Sequence, residues 1–288
     1  FIVGGTKKLL WLWKMKQKNV PIVYRLDGIK WLHLKKKVGL SKFLIAVISN
    51  LINQLIHTYL ADYIVYQSQF VKNWWDKEAW KTSKCNTIIY NGVSLHSKNL
   101  SLSNHQSTAK RLVILEGVID YSPYAIRLLN DLAKKLPHYI LIEIYGKFED
   151  ESNKRKLDKR IIYKGFIAQN EVSNVMKAAV YLSLDVNPAC PNTVVEAMSC
   201  GTPIVGFDTG ALPEMIDDSC GRIVPYGSNP WDLEYPDVDT LAKAIQDVFL
   251  NYKELSKKAF IMARERFDMR LMTDKYTAII NKLISDEA

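Results

Sequence analysis

Residues 187–214 read NPACPNTVVEAMSCGTPIVGFDTGALPE, a short apolar helical segment followed by a buried-strand pattern from Pro203 to Phe207. Pro191 can occupy the first turn of a helix at no hydrogen-bond cost and Gly201 ends it, so a helix of about ten residues points its N-terminus at the end of the preceding strand. Amides around Asn192, Thr193 and Val194 lack helical partners there, and with the helix dipole they suit an anion such as a pyrophosphate. Glu196 sits between Val194, Val195, Ala197 and Met198, in a helix otherwise too apolar for a surface position. Its carboxylate calls for a polar partner, and the paired hydroxyls of a ribose fit the two oxygens. An ordinary exposed helical Glu is the alternative.

Outward from this stretch, β-branched runs alternate with helical segments, the pattern of β–α–β units and parallel sheets. One set opens at Arg111–Glu116 and continues through Tyr139–Tyr145, Ile161–Lys164, Val180–Leu184 and Pro203–Phe207. A second set upstream has strands near Pro21–Arg25, Tyr63–Gln67 and Thr87–Tyr90, with an amphipathic helix from about Leu40 to Tyr59. The polar stretch after Asn91-Gly92 reads as a linker, and three closing helices fit Asp237–Leu250, Tyr252–Phe267 and Arg270–Ile284. The expected organisation is a first Rossmann-like domain at 1–97, a linker at 98–110, a complete doubly wound domain at 111–268 and a C-terminal helix at 269–288 that can cross back to the first. Two such domains offer the carboxyl ends of their strands to ligands, so an interdomain site is expected.

With 48% hydrophobic and 24% charged residues among 288, the chain is globular rather than disordered or collagenous. Its longest uninterrupted apolar run, such as Phe43–Ile48, is far below the ~18–20 residues of a membrane span. Cys85, Cys190, Cys200 and Cys220 show no CxxC spacing, and the five histidines show neither HExxH nor HxH. No metal site is expected, and a reducing, cytoplasmic location fits. Charge is uneven: residues 1–110 carry 17 Lys/Arg against 4 Asp/Glu, while the remainder has a net charge of −4. Lys7, Lys8, Lys14, Lys16 and Lys18, then Lys30 and Lys35–Lys37, are interleaved with Leu9, Leu10, Trp11, Trp13, Trp31 and Leu32. Three readings stay open: helices with core-facing Trp and Leu, an anionic membrane surface, or, least favoured, nucleic acid.

The string PNTVVEAMSCGTPIVGFDTGALPEMI, with Cys220-Gly221-Arg-Ile-Val after it, resembles the donor-binding signature of retaining GT-B glycosyltransferases of family 4. Tyr163-Lys-Gly165-Phe166 with Asn170-Glu171-Val172, and Ile144-Tyr-Gly146-Lys147, resemble further landmarks of that domain. In the first half, PIVYRLDG (21–28), ADYIVYQSQF (61–70) and Asn91-Gly92-Val93 are similar to its other motifs, in the same order. The resemblance implies a GT-B fold, two Rossmann-like domains facing across a cleft, with the first N-terminally truncated. It implies transfer of a sugar from a nucleotide-sugar to a glycan or lipid-linked acceptor with retention, without cofactor or metal, at the cytosolic membrane face. Carried over by position, Glu196 holds the ribose, Asn192, Thr193 and Val194 the pyrophosphate, Phe166 and Ile167 border the base, and Gly146 lies at a strand end beside them.

Several positions depart from that pattern. Pro188 stands where the family has a second Glu that grips the donor sugar. Glu116, Gly117 and Asp120 occupy the run where an Arg and a Lys neutralise the diphosphate. Lys147 is the best-placed substitute cation, with Lys164 and Arg25 as alternatives. Asp27 replaces the acceptor-side His; it can accept a sugar hydroxyl or cap the turn at Gly28. These departures leave a degenerate protein that binds a nucleotide-sugar without turnover as the alternative.

Overall fold

The structure, a computed structural model, describes residues 1–78, 82–95 and 110–285. It divides into two compact units, Phe1–Asn91 with Arg270–Ala288, and Gly92–Met269. The expected linker at 98–110 lies outside the described residues except for Lys110, which already opens a strand, so the second sheet begins one residue before 111.

In the first unit, four parallel strands pair in the order β1 (Ile2–Val3), β2 (Val23–Leu26), β3 (Tyr63–Tyr66) and β4 (Cys85–Ile88). The connections are α1 (Leu9–Gln17), α2 (Leu40–Leu55) with a π-helical turn at Ile56–Leu60, and α3 (Gln69–Glu78). Val23, Val65 and Ile89 form a small core with Ile279.

Two readings of this unit need correction. Of the Trp/Leu/Lys segments, only Leu9–Gln17 is helical; the second makes a single 3-10 turn at Leu32–Leu34. Leu10, Trp11 and Trp13 are exposed and only Leu12 of α1 is buried, which removes the core-facing reading for those three side chains. The statement that no segment is long enough to span a membrane also fails on length and composition. Helix Leu40–Leu60 has 21 residues and a mean hydropathy of 1.4 over an 18-residue window. Ser49, Asn50, Asn53 and Gln54 interrupt its apolar runs, which is why counting uninterrupted residues missed it.

The second unit has a six-stranded parallel sheet. Its strands are β5 (Lys110–Val118), β6 (Ile140–Lys147), β7 (Ile161–Gly165), β8 (Ala179–Leu182), β9 (Ile204–Phe207) and β10 (Gly221–Val224), in the spatial order β10-β9-β8-β5-β6-β7. β10, which sequence patterning had not singled out as a strand, completes the edge. This is doubly wound topology, whose direction of winding reverses at the β5/β8 pair. Every residue of β8 and β9 is buried, as expected for strands covered on both faces.

Helices α4 (Ala125–Lys135), α5 (Val172–Met176), α6 (Asn192–Ser199), α7 (Leu212–Met215), α8 (Val238–Leu250) and α9 (Tyr252–Arg266) belong to this unit. α4 and α8 present Leu128, Leu132, Leu241 and Ile245 to the core formed with Leu112, Ile114 and Ile142. Asp237 caps α8 by accepting from the Asp239 and Thr240 amides at 3.0 Å each, which fixes where that helix starts. The final helix, α10 (Met269–Ser285), supplies Ile279 to the small core of the first unit.

Candidate functional site

The carboxyl ends of β5, β6, β7 and β8 gather most of the chemistry-bearing side chains of the second unit. α6 starts one residue later than the sequence suggests and has eight residues. Pro191 is its N-cap, at ψ 118°, rather than part of its first turn, and its ring offers no side-chain capping bond. Gly201, at φ +71°, lies just past the C-cap residue Cys200 and ends it. Val194 is buried in the core, so only its backbone is available to a ligand.

Glu196 is half-buried and finds the polar partner its apolar setting demands: the Gln169 amide donates to its carboxylate at 2.5 Å. Burial pushes its carboxyl up from the usual range, and that hydrogen bond opposes the shift. Gln169 follows Phe166 and Ile167 by a few residues, so the platform expected to border a base leads directly to Glu196. Phe166 is exposed, and the Lys147 ammonium lies 4.7 Å from its ring centre. Gly146, at φ +139°, has no room for a side chain: a Cβ would overlap the Glu116 carbonyl oxygen. The two strands therefore approach closely where β5 shifts register between Leu115 and Val118.

The other substitute cations are engaged elsewhere. Lys164 lies 4.0 Å from Glu143, and Arg25 pairs with Asp27 and Asn91 in the first unit. Asp120 binds a loop: its carboxylate accepts from the amides of Glu149 at 2.6 Å and Asp150 at 3.0 Å and from Asn153 at 2.8 Å. Against the cost of its burial, these bonds hold it below the usual carboxylate range. Glu116 is the group that remains in the site. Its Oε1 accepts from the Leu184 amide at 3.2 Å. Burial, then the neighbouring Asp185 carboxylate, pushes its carboxyl well above the usual range. Tyr181 joins the cluster by donating to the Leu115 carbonyl at 3.3 Å and by a hydrogen bond to Thr193.

Asn187 was not anticipated. It is buried, holds φ +55°, and its Nδ2 has no hydrogen-bond partner among the described residues. The signal was an Asn-Pro pair after a strand, typical of an Asn in a left-handed turn. Pro188 is buried under Gly210, at φ +60°, where any Cβ would collide with the Pro188 backbone. The Ala211 amide donates to the Pro188 carbonyl at 2.8 Å. The position expected to carry a sugar-gripping Glu is thus locked into backbone packing.

In the first unit, Asp27 follows β2, Gln67 follows β3 and Asn91 lies just beyond β4. Arg25 donates to Asp27 at 3.3 Å, Gln67 donates to Asp27, and Asn91 donates to Gln67 at 3.2 Å. The Trp75 indole donates to the Asp27 carbonyl at 3.0 Å. The Asp27 carboxylate takes its hydrogen bonds from Arg25 and Gln67, rather than from the backbone of a turn at Gly28, which removes the capping alternative. Burial raises its carboxyl, against the Arg25 charge and the Gln67 hydrogen bond.

Residues 120–251 match the family described as glycosyl transferases group 1. The chain is 26% identical over 231 residues to an uncharacterized glycosyltransferase of Haemophilus influenzae, a match that covers 74% of this chain and 62% of the relative. Among solved structures it resembles Anabaena HepE in complex with UDP-glucose, at 17% identity and TM-score 0.70 over 95% of this chain and 76% of the other. It also resembles a sucrose-phosphate synthase from Thermosynechococcus elongatus, at 15% identity and TM-score 0.73 over 95% and 71% of the two chains. The pneumococcal O-GlcNAc transferase GtfA, in complex with UDP and GlcNAc, matches at 14% identity and TM-score 0.65 over 94% and 54%. The chain therefore has a GT-B fold, and its residues 120–251 are similar to the glycosyl transferases group 1 family.

Proposed function

We propose that the chain transfers a sugar from a nucleotide-sugar to a glycan or lipid-linked acceptor with retention at the anomeric carbon. The observation that carries this is the pairing of Gln169, three residues after Phe166 in sequence, with Glu196 on helix α6, whose N-cap is a proline. In this reading Glu196 exchanges Gln169 for two ribose hydroxyls, and the amides of Asn192, Thr193 and Val194 take the pyrophosphate. Phe166 and Ile167 border the base. Lys147 brings a positive charge to the diphosphate by leaving the Phe166 ring, and Asn187 Nδ2 adds a neutral donor. Asp27 accepts a sugar hydroxyl. The leaving diphosphate deprotonates the acceptor hydroxyl on its own face, so no enzymic nucleophile is required. Rate enhancement comes from positioning and from stabilising developing phosphate charge.

UDP is the first nucleotide to test, since HepE and GtfA hold it in their structures. Glu196→Gln should weaken UDP binding at least tenfold, because a lost charge-assisted pair of hydrogen bonds costs ~1.5–3 kcal/mol. Thermal stability should be unchanged. Equal affinity of both proteins for UDP and for GDP, by titration calorimetry, overturns the assignment. Lys147→Ala should lower kcat by ~10²–10³ if its charge reaches the leaving group.

A second reading, binding without turnover, is favoured by one observation: Glu116 and Asp185 put two carboxyl groups where cations are expected. Slow hydrolysis of a radiolabelled donor separates the two readings, because a protein without turnover produces no free sugar.

A further inference from the structure

α2 is oriented against the usual logic of a surface helix. Its inward face sets polar side chains beside Ala46 and Phe43, whose ring meets His33 at 5.2 Å: Asn50 Oδ1 accepts from the Lys30 amide at 3.1 Å, and Asn50 Nδ2 donates to the Lys30 carbonyl at 2.7 Å. Lys30 Nζ donates to Ser49 Oγ at 3.1 Å. Asn53 closes over Gly5, where a Cβ would overlap its amide oxygen. The opposite stripe is aliphatic, with Leu40 75%, Ile45 61%, Ile48 53% and Leu51 55% exposed, and with Leu44 and Val47 beside them. Of the sixteen residues of α2, only Ala46 is buried. A solvated helix turns such a stripe inward.

The surroundings indicate what covers it. From Gly28 to Ala61 the chain has no Asp or Glu and carries Lys30, Lys35, Lys36, Lys37 and Lys42. At the start of α2, Lys35, Lys36 and Lys37 with Leu34, Leu40 and Phe43 line an open hollow of about 420 Å³. A wide apolar stripe continuous with a lysine-lined hollow matches an anionic bilayer, whose headgroups meet the lysines while its acyl boundary meets the leucines and isoleucines. Although Leu40–Leu60 is long enough to span a membrane, the sheet forbids it. Val23 to Leu26 of β2 pair in register with Tyr63 to Tyr66 of β3, so both ends of the crossover belong to one sheet on one side of the bilayer. We propose that α2 lies in the interface of an anionic membrane and inserts its Leu40–Leu51 stripe, with Lys35–Lys37 seating anionic headgroups. This does not depend on the transferase reading.

The test is co-sedimentation of the full chain with phosphatidylcholine vesicles, with and without phosphatidylglycerol. Binding should require phosphatidylglycerol and should weaken as salt shortens the Debye length from ~8 Å at physiological ionic strength towards ~3 Å at 1 M. The Ile45→Gln/Ile48→Gln/Leu51→Gln variant should lose at least ~10-fold in vesicle affinity, with thermal stability and UDP affinity unchanged. Lys35→Gln/Lys36→Gln/Lys37→Gln should bind phosphatidylcholine vesicles with and without phosphatidylglycerol to the same low extent. Wild-type binding of the triple aliphatic variant would overturn the proposal, as would equal binding of the unmodified chain to both vesicle types. So would a dimer that dissociates in that variant, which would assign the stripe to a second copy of the chain.

Discussion

The second unit buries Leu112, Ile114, Leu128, Leu132, Ile142 and Ile245 in one continuous layer between sheet and helices, whereas the α10-facing core of the first unit is Val23, Val65, Ile89 and Ile279. The difference extends to helices of similar length. α8 buries seven of its thirteen residues and α2 one of sixteen. The helices of the second unit turn their apolar faces into its core, while α2 of the first unit leaves an apolar stripe exposed.

That contrast fails if the aliphatic stripe of α2 stabilises the fold as core does. Leu112→Ala should cost ~2–5 kcal/mol by opening a cavity between β5 and the helices, whereas Ile48→Ala should change stability by no more than about 0.5 kcal/mol. Urea unfolding of both variants measures this directly. A large loss from Ile48→Ala would mean that α2 packs against something in solution and would remove the exposed stripe as a free surface.

The second prediction concerns a buried group of the first unit. His57 stacks on Trp75 at 5.1 Å, lies 3.1 Å from the Tyr66 hydroxyl, and has no hydrogen-bond partner on Nδ1 among the described residues. Burial first, then the Lys84 charge, lowers its pKa to about 4, with Asp76 opposing. The unfolded chain protonates this imidazole near its usual value of about 6.5, so it binds more protons than the folded one between those limits. The stabilisation is fully present above pH 6.5 and is lost as pH falls towards 4, about 3 kcal/mol in total. His57→Gln should flatten that limb of the urea midpoint against pH, followed by Trp fluorescence. An unchanged slope would place the acid sensitivity elsewhere.

Most of the architecture was legible because β8 and β9 are buried on both faces and β5, β6 and β7 still carry short apolar runs, whereas the short edge strand β10 does not stand out. Glu196 was legible for the same reason, as a carboxylate misplaced in an apolar helix. Gln169, Asn187, Gln67 and Asn91 were not, since each is a neutral polar residue whose role depends on a partner brought near by folding. Gln169 meets Glu196 from 27 positions away, and Asn91 meets Gln67 from 24. Asp120 shows the converse. As a charge in a motif it suggested a site residue, yet its three hydrogen bonds make it the anchor of a loop. The exposure of α2 was illegible because periodicity reveals a two-faced helix without revealing which face turns inward.

The smallest effect separates the units by the sign of their pH response. Glu116 is held above the usual carboxylate range by burial and by Asp185, opposite to the shift of His57. Its folded state therefore retains a proton that the unfolded state has released. The stability it contributes is fully present below the unfolded carboxylate pKa of about 4.3 and is lost as pH rises through the folded value. Glu116→Gln keeps an oxygen to accept the Leu184 amide and removes the ionisation, so it should raise Tm at pH 7.5 and leave it unchanged at pH 4. For domains of this size the gain is read at roughly 2–4 °C per kcal/mol recovered. The same variant should leave UDP affinity unchanged below the folded pKa of this carboxyl, because a neutral group replaces a neutral one. A variant that is less stable at both pH values would show that the Glu116 carboxylate is ionised and paired in the fold. The second unit would then lose stability with acid as the first does, and the contrast in sign between the units would disappear.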